Sequence, residues 1–247
     1  MNFFSLFKRN LIYKFKKKIN IDQDNVEKEN LDQLLHHYGS DKANIFKKTK
    51  DSGHGFSKFY VNHFAKFKRS NLKILEIGSY KGGSAAAFSK YLTNSTICCF
   101  DVNISNFSYS SKNIYVFGVD IRNRKKINEN LTKIIKELNI DLFDVIIDDG
   151  SHNLSDILLT LKNLFKILKR KGLYVIEDYK YPNYFNYNRN TDDILIDQLI
   201  TKIEKKIFFK SKIIDMDTQK NFIDNINKIY TYKGNLKDSD ICFIEKN

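Results

Sequence analysis

The stretch Val145 to His152, VIIDDGSH, decides how the fold is read. An apolar run of strand type ends there in two carboxylates, a glycine, a hydroxyl and an imidazole, none of which suits burial. A greasy strand that stops at a Gly turn and polar groups is how an open α/β sheet delivers chemistry to its carboxyl edge. That run occupies residues 142–149, and similar β-rich runs stand at 72–78, 95–102, 113–120 and 172–178. Helical periods fill the gaps at 83–92, 123–138 and 153–170. The last of them carries Leu154, Ile157, Leu158, Leu161, Leu164, Phe165 and Leu168 at helical spacing, with Gly172 following as a stop signal. Strand and helix in alternation, with one apolar stripe per helix, imply an α/β fold with a mostly parallel sheet and right-handed crossovers. The final extended runs, INKIYTYKG and DICFIEK, flank a polar turn around Gly234 to Asp238 and read as a C-terminal antiparallel β-hairpin.

Composition sets the outer bounds. At 247 residues and 42% hydrophobic content, the chain can bury a sizeable core, which excludes wholesale disorder. The formal charge of +13 invites a polyanionic partner, but the basic residues are spread along the chain and not gathered in a stripe, so nucleic acid is not the expected partner. Three cysteines, two of them the adjacent Cys98 and Cys99, give neither a disulfide framework nor a metal-ligand spacing, and the expected compartment is the cytoplasm. No apolar stretch is long enough to span a bilayer. Residues 1–20 form a basic amphipathic tail without the uninterrupted apolar core of a secretory signal. Two readings of the tail stay open: a helix lying on an anionic membrane, peripheral to the inner membrane, or a docking segment. The expected organisation is this tail, a helical cap or lid over 21–70, and a Rossmann-like domain over 71–247, with self-association into a homo-oligomer left open.

The segment EIGSYKGGS, Glu76 to Ser84, closes the first strand and opens its helix. Glycines there let backbone pass close to a ligand, and the helix start offers free N–H groups. The spacing is not that of a dinucleotide fingerprint, and no phosphate-loop Lys-Ser/Thr pair is present. Glu76 just before the first glycine would repel a pyrophosphate and suits a ligand presenting an ammonium group or hydroxyls. Asp101 ends the second strand, the position from which an acid accepts from both ribose hydroxyls. A Gly loop for a nucleoside without a phosphate bridge fits S-adenosylmethionine, and these features resemble a class I S-adenosylmethionine-dependent methyltransferase.

Asp148 and Asp149 end the fourth strand, and Glu177 and Asp178 end the fifth in YVIEDY. Four acids at neighbouring strand ends repel one another unless some are protonated or a cation sits among them, and a hard divalent ion such as Mg2+ is the economical solution. His152, three residues after Asp149, can face the same ion and take a proton near neutral pH. The plainer alternative has Asp148 and Ser151 capping the next helix and His152 as a surface histidine.

Taken together, YGSDK, GHGF, ILEIGSYKGGS, VIIDDGSH and YVIEDY resemble the metal-dependent sugar O-methyltransferases of the mycinamicin and macrocin type and the cephalosporin hydroxylase-like proteins. The resemblance covers most of residues 37–180. It implies Mg2+ (or Mn2+) ligands at Asp149, Glu177 and Asp178, His152 as general base, and S-adenosyl-L-methionine contacts at Glu76, Gly78, Ser84 and Asp101. Ser79 and Gly82 of the same loop, with Asp120 and Asp148 at later strand ends, complete the expected cofactor set. The family's Gly-Asp-Gln after strand three is replaced here by FGVDIRN, which leaves the adenine-side task to Asp120. The implied acceptor is a sugar or glycan hydroxyl, as in surface polysaccharide biosynthesis. Tyr38, Asp41, Lys42 and His54 are expected in a lid, and DYKYPNYFNYN as an aromatic acceptor wall. His36, His37, His54 and His63 are too loosely spaced for a second metal site. Rival readings are nucleic-acid methylation and a non-catalytic binding protein of the same fold.

Overall fold

In the computed structural model of the protein, residues 3–26, 30–67 and 70–247 are described. The first two residues of the expected tail, and 27–29 and 68–69 of the expected cap, lie outside the described residues. The chain divides into two compact units, Met1–Asp120 with Gly234–Ser239, and Ile121–Lys233 with Asp240–Asn247.

In chain order the first unit comprises α1 (Phe3–Phe15), β1 (Ile19–Asn20), α2 (Leu31–His37), α3 (Ser57–Phe64), β2 (Lys73–Ile77), α4 (Gly83–Tyr91), β3 (Thr96–Asp101), β4 (Tyr109–Ser110) and β5 (Ile114–Gly118). Strands β5, β3 and β2 lie side by side in that order, all parallel, with Leu75 opposite Cys98 and Cys98 opposite Tyr115. Ile74, Leu75, Cys98, Cys99 and Phe100 are fully covered, which is why these strands read as continuous apolar runs and not as alternating ones. Tyr60, Phe64 and Phe88 pack ring against ring, with centroids 5.0–5.6 Å apart, fastening α3 to α4. Burial pushes the Cys98 thiol up to about 12, as befits an inert core sulfur.

The second unit comprises α5 (Arg124–Leu138), β6 (Phe143–Asp148), α6 (Leu154–Leu164), β7 (Leu168–Glu177), α7 (Tyr187–Thr191), α8 (Ile196–Glu204), α9 (Met216–Asn225), β8 (Ile226–Lys233) and β9 (Asp240–Lys246). Its strands run in the order β6, β7, β9, β8. The first pair is parallel, and β9 is antiparallel to both of its neighbours, so the expected hairpin is present.

Two features depart from the sequence reading. The helix expected over 153–170 stops at Leu164, and after a three-residue turn Leu168 already pairs with Phe143. Phe165 and Leu168 continue the helical period of Leu161 and Leu164, but here they fill a turn and a strand start. Residues 169–172 bulge opposite Asp144, held by a 3.0 Å ion pair from Lys169, and a Cβ at Gly172 would press to 2.9 Å on the Asp144 carbonyl. Second, helices α7 to α9 were not anticipated, although Ile196, Leu199, Ile200 and Ile203 carry a clear helical period and are all buried.

Parallel strands with helical crossovers, finished by an antiparallel pair, are the Rossmann-like arrangement expected. Among the described residues, no helix is long and apolar enough to cross a membrane.

Candidate active site

The first unit builds a ligand cradle where β2 and β3 end. After Ile77 the chain turns through left-handed backbone at Gly78, Tyr80 and Gly82 (φ +85°, +45° and +81°) before entering α4. Only glycine fits at Gly82, where a Cβ would come within 2.4 Å of the Phe107 ring. Asp101 fastens this loop: the Tyr80 N–H donates to Oδ2 at 2.7 Å and the Asn103 N–H donates to Oδ1 at 2.5 Å. Each oxygen keeps a further lone pair, so the carboxylate can hold the loop and still accept from a ligand.

Glu76 is fully buried. Its Oε1 accepts from the Ser84 hydroxyl, while Oε2 has no hydrogen-bond partner among the described residues. Burial pushes its pKa up, against the pull of the nearby Lys42 ammonium and the Ser84 and Ser79 hydroxyls. An orphaned carboxylate oxygen is a ready acceptor for an ammonium or N–H donor. Ser79 is buried and its hydroxyl donates weakly to the Glu76 carbonyl at 3.4 Å. Asp120 follows Val119, whose N–H donates to the Asp101 carbonyl at 3.0 Å.

The YGSDK segment is packed and not loose. Lys42 is 1% exposed, and a Cβ at Gly83 would lie 2.7 Å from the Tyr38 carbonyl, so the segment abuts the start of α4. Three histidines of this unit have separate partners. His36 contacts the Ile45 carbonyl at 2.9 Å, His37 lies 3.4 Å from Asp24, and the His54 ring nitrogen is 2.8 Å from the Ser239 hydroxyl.

The second unit gathers Asp149, His152 and Asp178. One donor atom from each lies within 4.8 Å of the others, the one such group found among the described residues. His152 Nε2 stands 3.7 Å from Asp149 Oδ1 and 4.0 Å from Asp178 Oδ2. Both His152 (φ +55°) and Asp178 (φ +50°) hold left-handed backbone, an unfavourable conformation of the kind that concentrates at functional sites. Of each acidic pair only the second member reaches the group. Asp148 and Glu177 are the last residues of β6 and β7, 3% and 2% exposed, whereas Asp149 and Asp178 follow the strands in the turns that carry them to His152.

Four contacts fix the loop. Asp156 in the first turn of α6 takes two 2.8 Å bonds from the Arg122 guanidinium and one of 2.5 Å from the Ser151 hydroxyl. The Tyr187 hydroxyl donates to Asn153 at 2.8 Å. The Tyr181 ring meets His152 edge to face, with centroids 5.8 Å apart, and Tyr184, Phe185 and Tyr187 beyond it remain largely exposed. Arg122 and Asp156 were not singled out from sequence, since only the folded loop brings them to the site, whereas Tyr181 belongs to the stretch read as an aromatic wall.

Burial, reinforced by Asp149 and Asp156 and opposed by bonds from the Gly150 N–H and the Thr160 hydroxyl, pushes the Asp148 carboxyl up to about 8. The folded state therefore holds that proton more tightly than the unfolded chain. The resulting stabilisation is complete below about pH 4, the ordinary carboxylate value, and drains away as pH rises towards 8. Asp148→Asn is expected to flatten this decline in thermal midpoint, measured in the presence of a chelator; parallel declines in both proteins would contradict the assignment.

With this geometry in view, the chain has the fold of the class I S-adenosylmethionine-dependent methyltransferases. The MycE methyltransferase of the mycinamycin pathway, solved with Mg and SAH, superposes with a TM-score of 0.63 at 23% identity, over 89% of this chain and 55% of that one. In sequence the chain is similar to sugar O-methyltransferases. Demethylmacrocin O-methyltransferase of Streptomyces fradiae is 27% identical over 134 residues, 51% of this chain and 32% of that one. Mycinamicin VI 2''-O-methyltransferase of Micromonospora griseorubida is 26% identical over 144 residues, 51% of this chain and 31% of that one. The matched region thus spans about a third of the length of the curated relatives. No family model matches the chain.

Proposed function

We propose that the chain is an S-adenosylmethionine- and divalent-cation-dependent O-methyltransferase acting on a sugar hydroxyl of a glycan or glycosylated metabolite. The observation that carries this reading is the Asp149, His152 and Asp178 group, set in a chain similar to enzymes named as O-methyltransferases of demethylmacrocin and mycinamicin VI. The donor set suits the ion: two carboxylates and an imidazole are oxygen and nitrogen ligands appropriate to Mg2+ or Mn2+. Asp149 and Asp178 would hold it, with Glu177 at the end of β7, next in chain to Asp178, as the third candidate ligand. When bound, such a cation lowers the pKa of a coordinated hydroxyl, so that an alcohol becomes a competent nucleophile near neutral pH.

The chain's own residues supply the rest. Asp101 accepts from the ribose hydroxyls of the methyl donor, the free oxygen of Glu76 receives its amino group, and Gly78, Ser79, Gly82 and Ser84 let its chain lie against the backbone. His152, its ring steadied by the Tyr181 edge, takes the acceptor proton at an imidazole nitrogen. Tyr184, Phe185 and Tyr187 offer aromatic faces to the C–H side of a sugar ring and keep water back. The expected compartment is the cytoplasm, where Cys98, Cys99 and Cys242 stay reduced.

The direct test is transfer of labelled methyl from S-adenosylmethionine to a panel of glycosides, with and without EDTA. EDTA-resistant transfer, or transfer to RNA alone, would overturn the proposal. For the donor site, Asp101→Ala is expected to weaken S-adenosylmethionine binding about ten- to a hundredfold by calorimetry, the loss typical of hydrogen bonds to a charged group. An unchanged dissociation constant would remove Asp101 from the ribose site.

A further inference from the structure

Helix α1 turns an apolar ridge to solvent. At about 100° per residue, Phe7 and Phe15 lie about 40° to either side of Leu11, forming one ridge, and Lys14 and Lys8 stand about 60° to either side of the same residue. That ridge faces solvent: Phe7 is 58%, Leu11 47% and Phe15 77% exposed, and Ile12 and Ile19 extend the apolar surface. The opposite face is mixed and holds the helix to its unit: Leu6 and Tyr13 are half-buried there, and the Tyr13 ring meets that of Phe107 edge to face with centroids 6.4 Å apart. Arg9 Nη1 donates to the Val102 carbonyl at 3.0 Å, and Lys16 Nζ donates to the Ser105 and Asn106 carbonyls at 3.1 and 2.8 Å. Asn10 sits so close to Gly118 that a Cβ there would lie 2.2 Å from its side-chain oxygen. A surface helix of a globular protein ordinarily turns its apolar stripe to the core and its charges outward. Here Phe7, Leu11 and Phe15 are turned outward instead, so this apolar ridge is matched to something outside the unit.

Charge says what that is. Residues 3–20 carry Lys8, Arg9, Lys14, Lys16, Lys17 and Lys18 and no Asp or Glu. A second copy of the same ridge would bring lysines against lysines, whereas a bilayer with anionic lipids offers hydrocarbon to the ridge and phosphates to its flanks. We propose that α1 is an interfacial membrane anchor, lying flat on an anionic lipid surface with Phe7, Leu11 and Phe15 at the headgroup boundary and Lys8 and Lys14 among the phosphates. This assignment stands apart from the catalytic proposal, because none of its residues belongs to the cofactor or metal sites.

The test is co-sedimentation of the full-length protein with vesicles of phosphatidylcholine, with and without phosphatidylserine. Binding to the phosphatidylserine vesicles is expected to be at least about tenfold tighter and to weaken as salt is raised. The variant Phe7→Ser/Leu11→Ser/Phe15→Ser should lose binding to both vesicle types while keeping its thermal midpoint, since the replaced side chains are solvent-facing. Should that variant fail to fold, Lys8→Glu/Lys14→Glu carries the test, with the selective loss of phosphatidylserine binding expected. No binding by the parent protein, equal binding to the two vesicle types, or a dimer that dissociates in the triple variant would each overturn the anchor.

Discussion

Replacing Asp149 by Ala is expected to reduce methyl transfer roughly a thousandfold or more, the several kcal/mol that a Lewis acid supplies to such a step. Asp149 stands outside the strand that carries Asp148, in a loop tied down by Ser151, Asp156 and Arg122, so its loss should remove a ligand and leave the fold in place. Three measurements belong together: turnover against Mg2+ and Mn2+ concentration, affinity for S-adenosylmethionine, and thermal midpoint. The expected pattern is lost turnover, a right-shifted cation dependence and little change in the other two, because Asp149 belongs to a different unit from the Glu76–Asp101 cradle. Full activity of Asp149→Ala, or of the parent protein in EDTA, would end the cation-assisted reading.

His152→Ala should be nearly as damaging, by a factor of about 10² to 10⁴ in kcat, the usual contribution of a positioned general base. His152 also sits within 3.7–4.0 Å of both carboxylates, so its removal could act through the cation instead. The two roles separate at saturating Mg2+. A proton acceptor leaves a kcat deficit that excess cation does not repair and that rising pH partly does, as bulk hydroxide takes over. If excess cation restores the parent rate, His152 is a ligand and not the base.

Much of this site was legible before any coordinates, for identifiable reasons. Strand ends in an open α/β sheet deliver polar residues to one edge, so Glu76, Asp101, Asp149 and Asp178 could be placed from the apolar runs preceding them. What the runs do not carry is which way the last residue of a strand points. VIIDD and VIED read as two equivalent acidic pairs, but the strands end at Asp148 and Glu177, and it is Asp149 and Asp178, in the turns beyond, that gather with His152. Contacts of long sequence separation were equally out of reach: Arg122 meets Asp156 across 34 residues. Periodicity misled at Leu168, where a spacing of three and four residues serves a turn and a strand start as well as a helix. Periodicity also marked α1 as amphipathic, without saying that the ridge of Phe7, Leu11 and Phe15 would be turned to solvent.

The left-handed backbone at His152 and Asp178 bears on how these positions can drift. A left-handed φ costs a β-branched residue far more than it costs Asn, Asp, His or Gly. Val, Ile or Thr at either position would twist the turn before any question of chemistry arose, while Asn would keep the shape and forfeit the function. Inactive descendants of this protein should therefore betray themselves by amides and glycines at 152 and 178, with the scaffold around them intact.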